Sequence, residues 1–469
     1  MDFLKNIDIN GEFLDDLKMI LEKKTLKGEA DSENPFGKDM TEGLKCALEI
    51  AERYGFTTKN LDNYVGYAEY GCGEEYVGVL GHLDVVPVGE GWNSDPFIPI
   101  VKDGKIFGRG TSDDKGPIFA SLYALKLMKE NEIKLSKKVR IIFGTNEETG
   151  TEDMDYYLQK EKPPIACFTP DAEFPIVTSE KGILTFQFHR SFKETQGDYK
   201  VEYIKGGKRS NIVPDCCKCK ISYTNSVFLK YFKDETIKER YKIEIENGNG
   251  YLIVTAAGVA AHGSTPQSGD NAISNLLLYL NEVMTFKDDF TNFLNDFNNV
   301  IAKEYNGKKL GIDFQDEESG KLTLNLGIID GNEKEVSMRF NVRYPVTIKL
   351  DDILRHIDTS LSGTEFQFKM GHHNAPLHFP KDHDLVKSLK KAYEEATGEE
   401  AKLLAMGGGT YAKLMPNTVA FGPLFEDDEN LAHEVNEYIK LETLKKCVEI
   451  YGRAIYELSL IHISEPTRH

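Results

Sequence analysis

"EYVGVLGHLDVV", residues 75–86, is the stretch on which the fold turns. Its apolar first half reads as a buried strand over 77–81, and its second half leads into a loop that carries His82 and Asp84. The same style continues downstream. "GPIFASLYALKLMKENEI", 116–133, has the period of a long amphipathic helix; "KVRIIFGTN", 138–146, is the next strand and "IACFTPD", 165–171, a further one. Strands alternating with helices over 64–187 predict an α/β layer with a mainly parallel sheet. In such sheets functional groups collect at the carboxyl ends of the strands.

Working outward, "GEFLDDLKMILEKK" and "MTEGLKCALEIAERYGF" read as helices within 11–56. From about 184 the character changes. "ILTFQFHRSF", "CKCKISYT", "YKIEIENGNGYLIVTAAG", "KLTLNLGIIDGN" and "EVSMRFNVRYPV" alternate with period two, and helices such as "NAISNLLLYLNEVMTF" lie between them. This predicts an α+β lid with an antiparallel sheet, inserted into the first domain. The expected organisation is a catalytic domain over 1–183 and 377–458, a lid over 184–376, and a cleft between them. The last twelve residues, "LSLIHISEPTRH", break the helical pattern before them and resemble translated adapter sequence. Ser459 to His469 are therefore expected to be a non-native tail, which removes His462 and His469 from the ligand candidates.

The 469 residues are 40% hydrophobic and carry 57 basic against 76 acidic side chains, a formal charge of −19. That balance argues against a nucleic-acid surface or an anionic membrane as partner. The charged N-terminus lacks the apolar core of a signal peptide, and no apolar run approaches membrane-spanning length. Seven scattered cysteines look like reduced thiols. A cytoplasmic protein is the expectation. "CCKC", 216–219, sits in an expected strand with no second Cys or His pair nearby, which disfavours structural zinc.

Acidic and histidine residues recur at matching ends of the α/β elements. They are His82 and Asp84, Asp113 and Asp114 in "GRGTSDDKGP", Glu147 and Glu148 in "NEETG", Asp171 in "FTPDAEFP", and His433 in "ENLAHEVNEYI" near the start of the last helix. Each has a plain structural alternative: a strand-end polar pair, a helix-capping cluster, loop charges. Jointly, two histidines and three carboxylates, one of them bridging, make three protein ligands for each of two metals and leave room for water. Two Zn²⁺ against three carboxylates leave about one positive charge for a hydroxide. The adjacent glutamates can then divide the labour, Glu148 on the metal and Glu147 free as general base.

In order along residues 10–458, "GHLDVVPVGEGW", "GRGTSDDKGP", "NEETG", "TPDAEFP", "AAHGSTPQSGDNAI", "MGGGTYAK" and "LAHEVNEYI" resemble the motifs of the M20 family of co-catalytic zinc metallopeptidases. Within it they are most similar to the PepV-type dipeptidases (Xaa-His dipeptidase or carnosinase-like). The resemblance implies His82 and Asp171 on one metal, Glu148 and His433 on the other, and Asp113 bridging. It implies Asp84 orienting His82 and a cis Asp113–Asp114 peptide. It also implies two Zn²⁺ per chain (with Mn²⁺ or Co²⁺ as substitutes), unblocked dipeptides as substrates, and a monomer enclosed by its own enlarged lid. His262 in "AAHGSTP" is then a donor to the oxyanion, against the alternative of an exposed turn histidine. Arg343 in "FNVRYP" and Asn211 in "RSNIVPD" are candidates for the substrate carboxylate, with a surface strand arginine as the alternative for Arg343. Gly407, Gly408, Gly409 and Thr410 place N–H groups at an expected helix start suited to a carboxylate, or make only a tight turn. An N-acyl-amino-acid deacylase or broader exopeptidase keeps the same chemistry. A non-catalytic peptide-binding relative would not need Glu147.

Overall fold

The computed structural model describes residues 1–4, 7–193 and 199–461. The chain divides into two compact units, one of Met1–Thr178, His378–Leu404 and Gly409–His469, the other of Ser179–Leu377 and Ala405–Gly408.

In the first unit, strand Tyr76–His82 is buried at every residue. It lies between two parallel neighbours, Lys138–Gly144 and Ala166–Thr169, and Thr418–Ala420 extends the parallel run. Antiparallel Val65–Tyr70 and Thr57–Leu61 follow beyond Lys138–Gly144, so the sheet is mixed with a parallel centre. A parallel strand covered on both faces needs apolar side chains throughout, which is why this segment reads as a continuous run. Parallel neighbours also end together. His82 sits opposite Gly144, so His82 and the loop carrying Glu147 and Glu148 leave the sheet at one end. Asp171 follows Thr169 at the same end.

Helix Lys115–Glu130 departs from its expected amphipathic character. Thirteen of its sixteen residues are buried, Lys115 and Lys126 among them. Sheet strand Tyr76–His82 covers one side, and helices Glu12–Leu21 and Leu441–Ser459 cover the others. A helix enclosed on all sides needs no polar stripe, and its two buried lysines reach partners instead. Lys115 Nζ donates to the Lys23 carbonyl at 2.7 Å, and Lys126 pairs with Glu12 and Glu130, each at 2.9 Å.

The second unit is built on an eight-stranded sheet whose neighbours are all antiparallel. Strand Gly182–Ser191 alternates buried and half-buried positions, the signature of a sheet with one packed face. Helices Ala272–Val283, Asp289–Val300 and Leu350–Leu361 supply apolar residues to the same core. Strand Cys216–Tyr223 turns Cys217 and Cys219 inward and leaves Cys216 exposed, so the period of the strand accounts for "CCKC" without a metal.

The final helix runs through Ser459, which is fully buried, and Ile461 packs into the core of the first unit. The helical pattern therefore extends into the segment expected to be foreign from Ser459 onward. Residues 462–469, with His462 and His469, lie outside the described residues. Among the described residues no helix is long and apolar enough to cross a membrane.

Candidate active site

Two groups of ligand-type atoms meet in the first unit: His82, Asp113 and Asp171, and Asp113, Glu148 and His433, each with atoms within 4.8 Å of one another. Asp113 belongs to both. Its Oδ1 lies 2.9 Å from His82 Nε2 and its Oδ2 3.3 Å from His433 Nε2. Asp171 Oδ2 is 3.9 Å from His82 Nε2, and Glu148 Oε2 is 3.0 Å from His433 Nε2.

Local hydrogen bonds explain how these side chains are held. The Asp113–Asp114 peptide is cis. Asp114 stands at the N-cap of helix Lys115–Glu130, yet its carboxylate caps nothing there; it accepts the His82 backbone N–H at 3.1 Å. Gly81 makes this approach possible, since a Cβ there would lie 2.2 Å from Asp114 Oδ2 and 2.8 Å from Ile118 Cβ. Asp114 is thus a strand-to-helix clasp and not a cap. Asp84 divides its work. His82 Nδ1 lies 2.9 Å from the Asp84 carbonyl and 3.4 Å from its carboxylate. That carboxylate accepts the N–H groups of Glu147 and Glu148 at 3.1 and 2.9 Å. One turn further, Asp153 accepts Thr145 and Asn146 N–H at 2.8 and 3.0 Å and takes the Tyr411 hydroxyl. Asp84 therefore orients the glutamate loop as well as His82.

His433 is not near a helix start. It lies in a loop with φ 68°, eight residues before helix Leu441–Ser459. Glu437, Asp153 and Tyr411 also hold the site in place, with no motif in the sequence to mark them. Asp153 looks like an ordinary acid in the first turn of helix Glu152–Lys160, and nothing local marks the other two.

The donor set fits divalent metal. His82 Nε2 is buried and, despite its closeness to Asp113, has no partner in hydrogen-bonding geometry. With Nδ1–H given to the Asp84 carbonyl, Nε2 turns a lone pair toward carboxylate oxygens, an arrangement that a cation relieves. Charge points the same way. Burial pushes Asp171 and Glu148 above the usual carboxylate range and Glu147 up to about 8. Burial would raise Asp113 too, but the imidazoles of His433 and His82 beside it hold it low. The carboxylates of Asp113, then Glu148, push His433 up to about 10. The protein's own groups are too acidic for so enclosed a place without added positive charge.

In the second unit, Arg343 is buried and not a surface arginine. Its Nε donates to Asn341 Oδ1 at 2.9 Å and its Nη1 to the Gly407 carbonyl at 3.0 Å. Among the described residues no carboxylate pairs with it, and burial alone lowers its pKa to about 10. Gly407 comes so close to Ser264 that a Cβ would lie 2.8 Å from the serine Cβ. Ser264 Oγ is 2.7 Å from His262 Nδ1, and His262 is exposed. Asn211 accepts Gly263 N–H through its carbonyl at 2.7 Å, beside a bridge between Ile212 and His262. The structure thus gathers Asn211, His262, Gly407 and Arg343 in one region of that unit. In the first unit, Thr410 caps a single 3₁₀ turn, Tyr411–Lys413, by accepting Ala412 N–H at 3.1 Å; the expected helix is only that turn.

YtjP of Bacillus subtilis (strain 168) is 40% identical over 429 residues, covering 91% of this chain and 92% of that protein. The Beta-Ala-Xaa dipeptidase of Lactobacillus delbrueckii subsp. lactis is 36% identical over 437 residues, 92% of each chain. The crystal structure of human carnosine dipeptidase 1 superposes with a TM-score of 0.55 at 15% identity, covering 98% of this chain and 99% of that one, a likeness of fold. The profile of peptidase family M20/M25/M40 matches residues 78–457, a span that takes in both ligand groups, and the chain belongs to that family.

Proposed function

We propose that this peptidase is a metal-dependent dipeptidase acting on dipeptides with a free amine and a free carboxylate. The observation that carries the reading is the double use of Asp113, common to both ligand groups, with Glu147 outside them. His82 and Asp171 hold one ion, Glu148 and His433 the other, and Asp113 reaches both. The nitrogen and oxygen donors suit zinc, with Mn²⁺ or Co²⁺ as substitutes. Two such ions, when bound, polarise the scissile carbonyl and acidify the attacking water. Glu147 is the general base. Burial brings its proton affinity close to neutrality, which suits taking a proton from water and passing it to the leaving amine. Asp84 keeps the backbone of Glu147 and Glu148 in place. His262 donates to the developing oxyanion. Arg343, with Asn211, Gly408, Gly409 and Thr410, receives the substrate carboxylate. A buried guanidinium with only neutral partners supports that role, because it lacks the anion that burial of a cation calls for.

A panel of free, N-acetylated and C-amidated dipeptides, with β-alanyl dipeptides included because of the Lactobacillus relative's name, tests the reading. Free dipeptides are expected to be hydrolysed and N-acetyl forms to resist. Preferred cleavage of N-acyl amino acids would make the protein a deacylase instead. Arg343→Ala is expected to raise KM by about 10- to 100-fold, the range of a lost charge-assisted hydrogen bond, with little change in kcat. A clamp that holds substrate and transition state alike acts on KM. The same variant should narrow the difference between a dipeptide and its amide. An undiminished preference for the free carboxylate would remove Arg343 from the role.

A further inference from the structure

We infer that Glu437, buttressed by Arg109, is a positioning residue that sets the Asp113 and His433 loops against each other. The inference rests on the ligand roles proposed for those two residues. Glu437 is 0% and Arg109 1% exposed, and neither belongs to a ligand group.

Both loops spring from one strand pair. Lys105–Phe107 runs antiparallel to Tyr438–Lys440, with Phe107 opposite Tyr438, and Gly108 N–H donates to the Glu437 carbonyl at 3.0 Å. From that end one chain continues through Gly110 to Asp113, and the other arrives from His433. The Glu437 carboxylate fills the fork between them. Oε2 accepts from Gly110 N–H at 3.0 Å and from Arg109 Nη1 at 2.9 Å. Oε1 accepts from Ser112 N–H at 2.8 Å and Asp113 N–H at 3.3 Å; the Thr111 hydroxyl, 3.4 Å away, gives its proton to the Gly108 carbonyl at 2.8 Å. Arg109 then reaches across to the other loop, donating to the carbonyls of Glu434 at 3.1 Å and His433 at 3.5 Å. It also donates to the Val88 carbonyl at 3.4 Å, on the chain that leaves His82 and Asp84.

The chemistry of the fork admits few substitutes. Four donors converge on one carboxylate, and only an acceptor-only group satisfies them; a glutamine amide would turn N–H against N–H on one side. His433 adds a second reason. Its φ of 68° is the left-handed region, costly for a residue with a Cβ and kept only where the surroundings over-determine it. The guanidinium on the carbonyls of His433 and Glu434 supplies that constraint. An ion gripped by residues about 320 positions apart in sequence needs both loops held within a fraction of an ångström, and partners behind the ligands commonly govern affinity for that reason.

Zinc titration of the full chain against a chromogenic chelator tests this. Glu437→Gln is expected to weaken one of two zinc ions by at least about tenfold, the effect typical of losing a partner behind a ligand, with the other changed less. The weakened ion should be the one lost in His433→Ala, and Glu437→Gln on top of His433→Ala should add only its smaller effect on the ion that remains. Arg109→Lys keeps the charge but cannot span both loops; it should weaken the same ion, and it decides the question should Glu437→Gln fail to fold. Two ions bound at wild-type affinity in these variants would overturn the inference. So would equal weakening of both ions together with a lower melting temperature of the chelator-treated protein, which would make the pair a general structural one. A wild-type chain that takes up fewer than two zinc ions would overturn the ligand reading beneath it, and the wild-type arm of the same titration separates that case.

Discussion

Glu147→Gln is expected to lower kcat by about two to four decades, the usual contribution of a general base, while leaving metal content at the wild-type level. The neighbouring Glu148→Gln should do the reverse, losing metal first and activity as a consequence. The contrast follows from geometry. Glu148 Oε2 lies 3.0 Å from His433 Nε2 and shares a ligand group with Asp113, whereas Glu147 is in neither group. Both backbones hang from the Asp84 carboxylate, so the two substitutions disturb the loop alike and differ only in what the side chain does. An amide at position 147 has nearly the shape of the acid and cannot take a proton at neutral pH. Steady-state rates and elemental analysis on both variants decide the matter. If the two lost metal and activity in parallel, the division of roles would be wrong.

Stripping the protein with a chelator is expected to abolish activity, and about two equivalents of zinc or manganese to restore it. His82 Nε2 is buried among carboxylate oxygens without a hydrogen-bonding partner, a position that a divalent ion would fill. Metal uptake should also release protons and strengthen as pH rises. Contacts with Asp113 and Glu148 push His433 up to about 10, and burial pushes Glu147 up to about 8 and raises Glu148 and Asp171 as well. A group raised in this way gives up its proton less readily, so lower pH favours the proton over the metal. Calorimetry in buffers of different ionisation enthalpy measures the proton release. Full activity in a preparation free of metal by elemental analysis would end the mechanism.

The sequence by itself determined the layering. The apolar run ending at His82, the helix after Asp114 and the strand before Glu147 announce an α/β layer, because period and punctuation are local properties that survive without neighbours. The antiparallel insert was legible in the same way, from strands such as Gly182–Ser191 whose alternation matches one packed face. Helix Lys115–Glu130 reads as amphipathic yet is enclosed, because burial on its far side comes from helices that begin about 100 residues before its start and about 325 residues after it. Only the tertiary structure decided what the carboxylates do to one another and to the backbone. Asp114 reads as a cap and clasps His82 instead. Asp84 reads as a histidine partner and also carries the glutamate loop. Glu437 reads as one more acid in an acidic chain, yet it accepts a backbone N–H 325 residues away. Backbone donors are the same at every residue and leave no trace in side-chain pattern, so which acid meets which N–H emerges only once the chain has brought distant loops together.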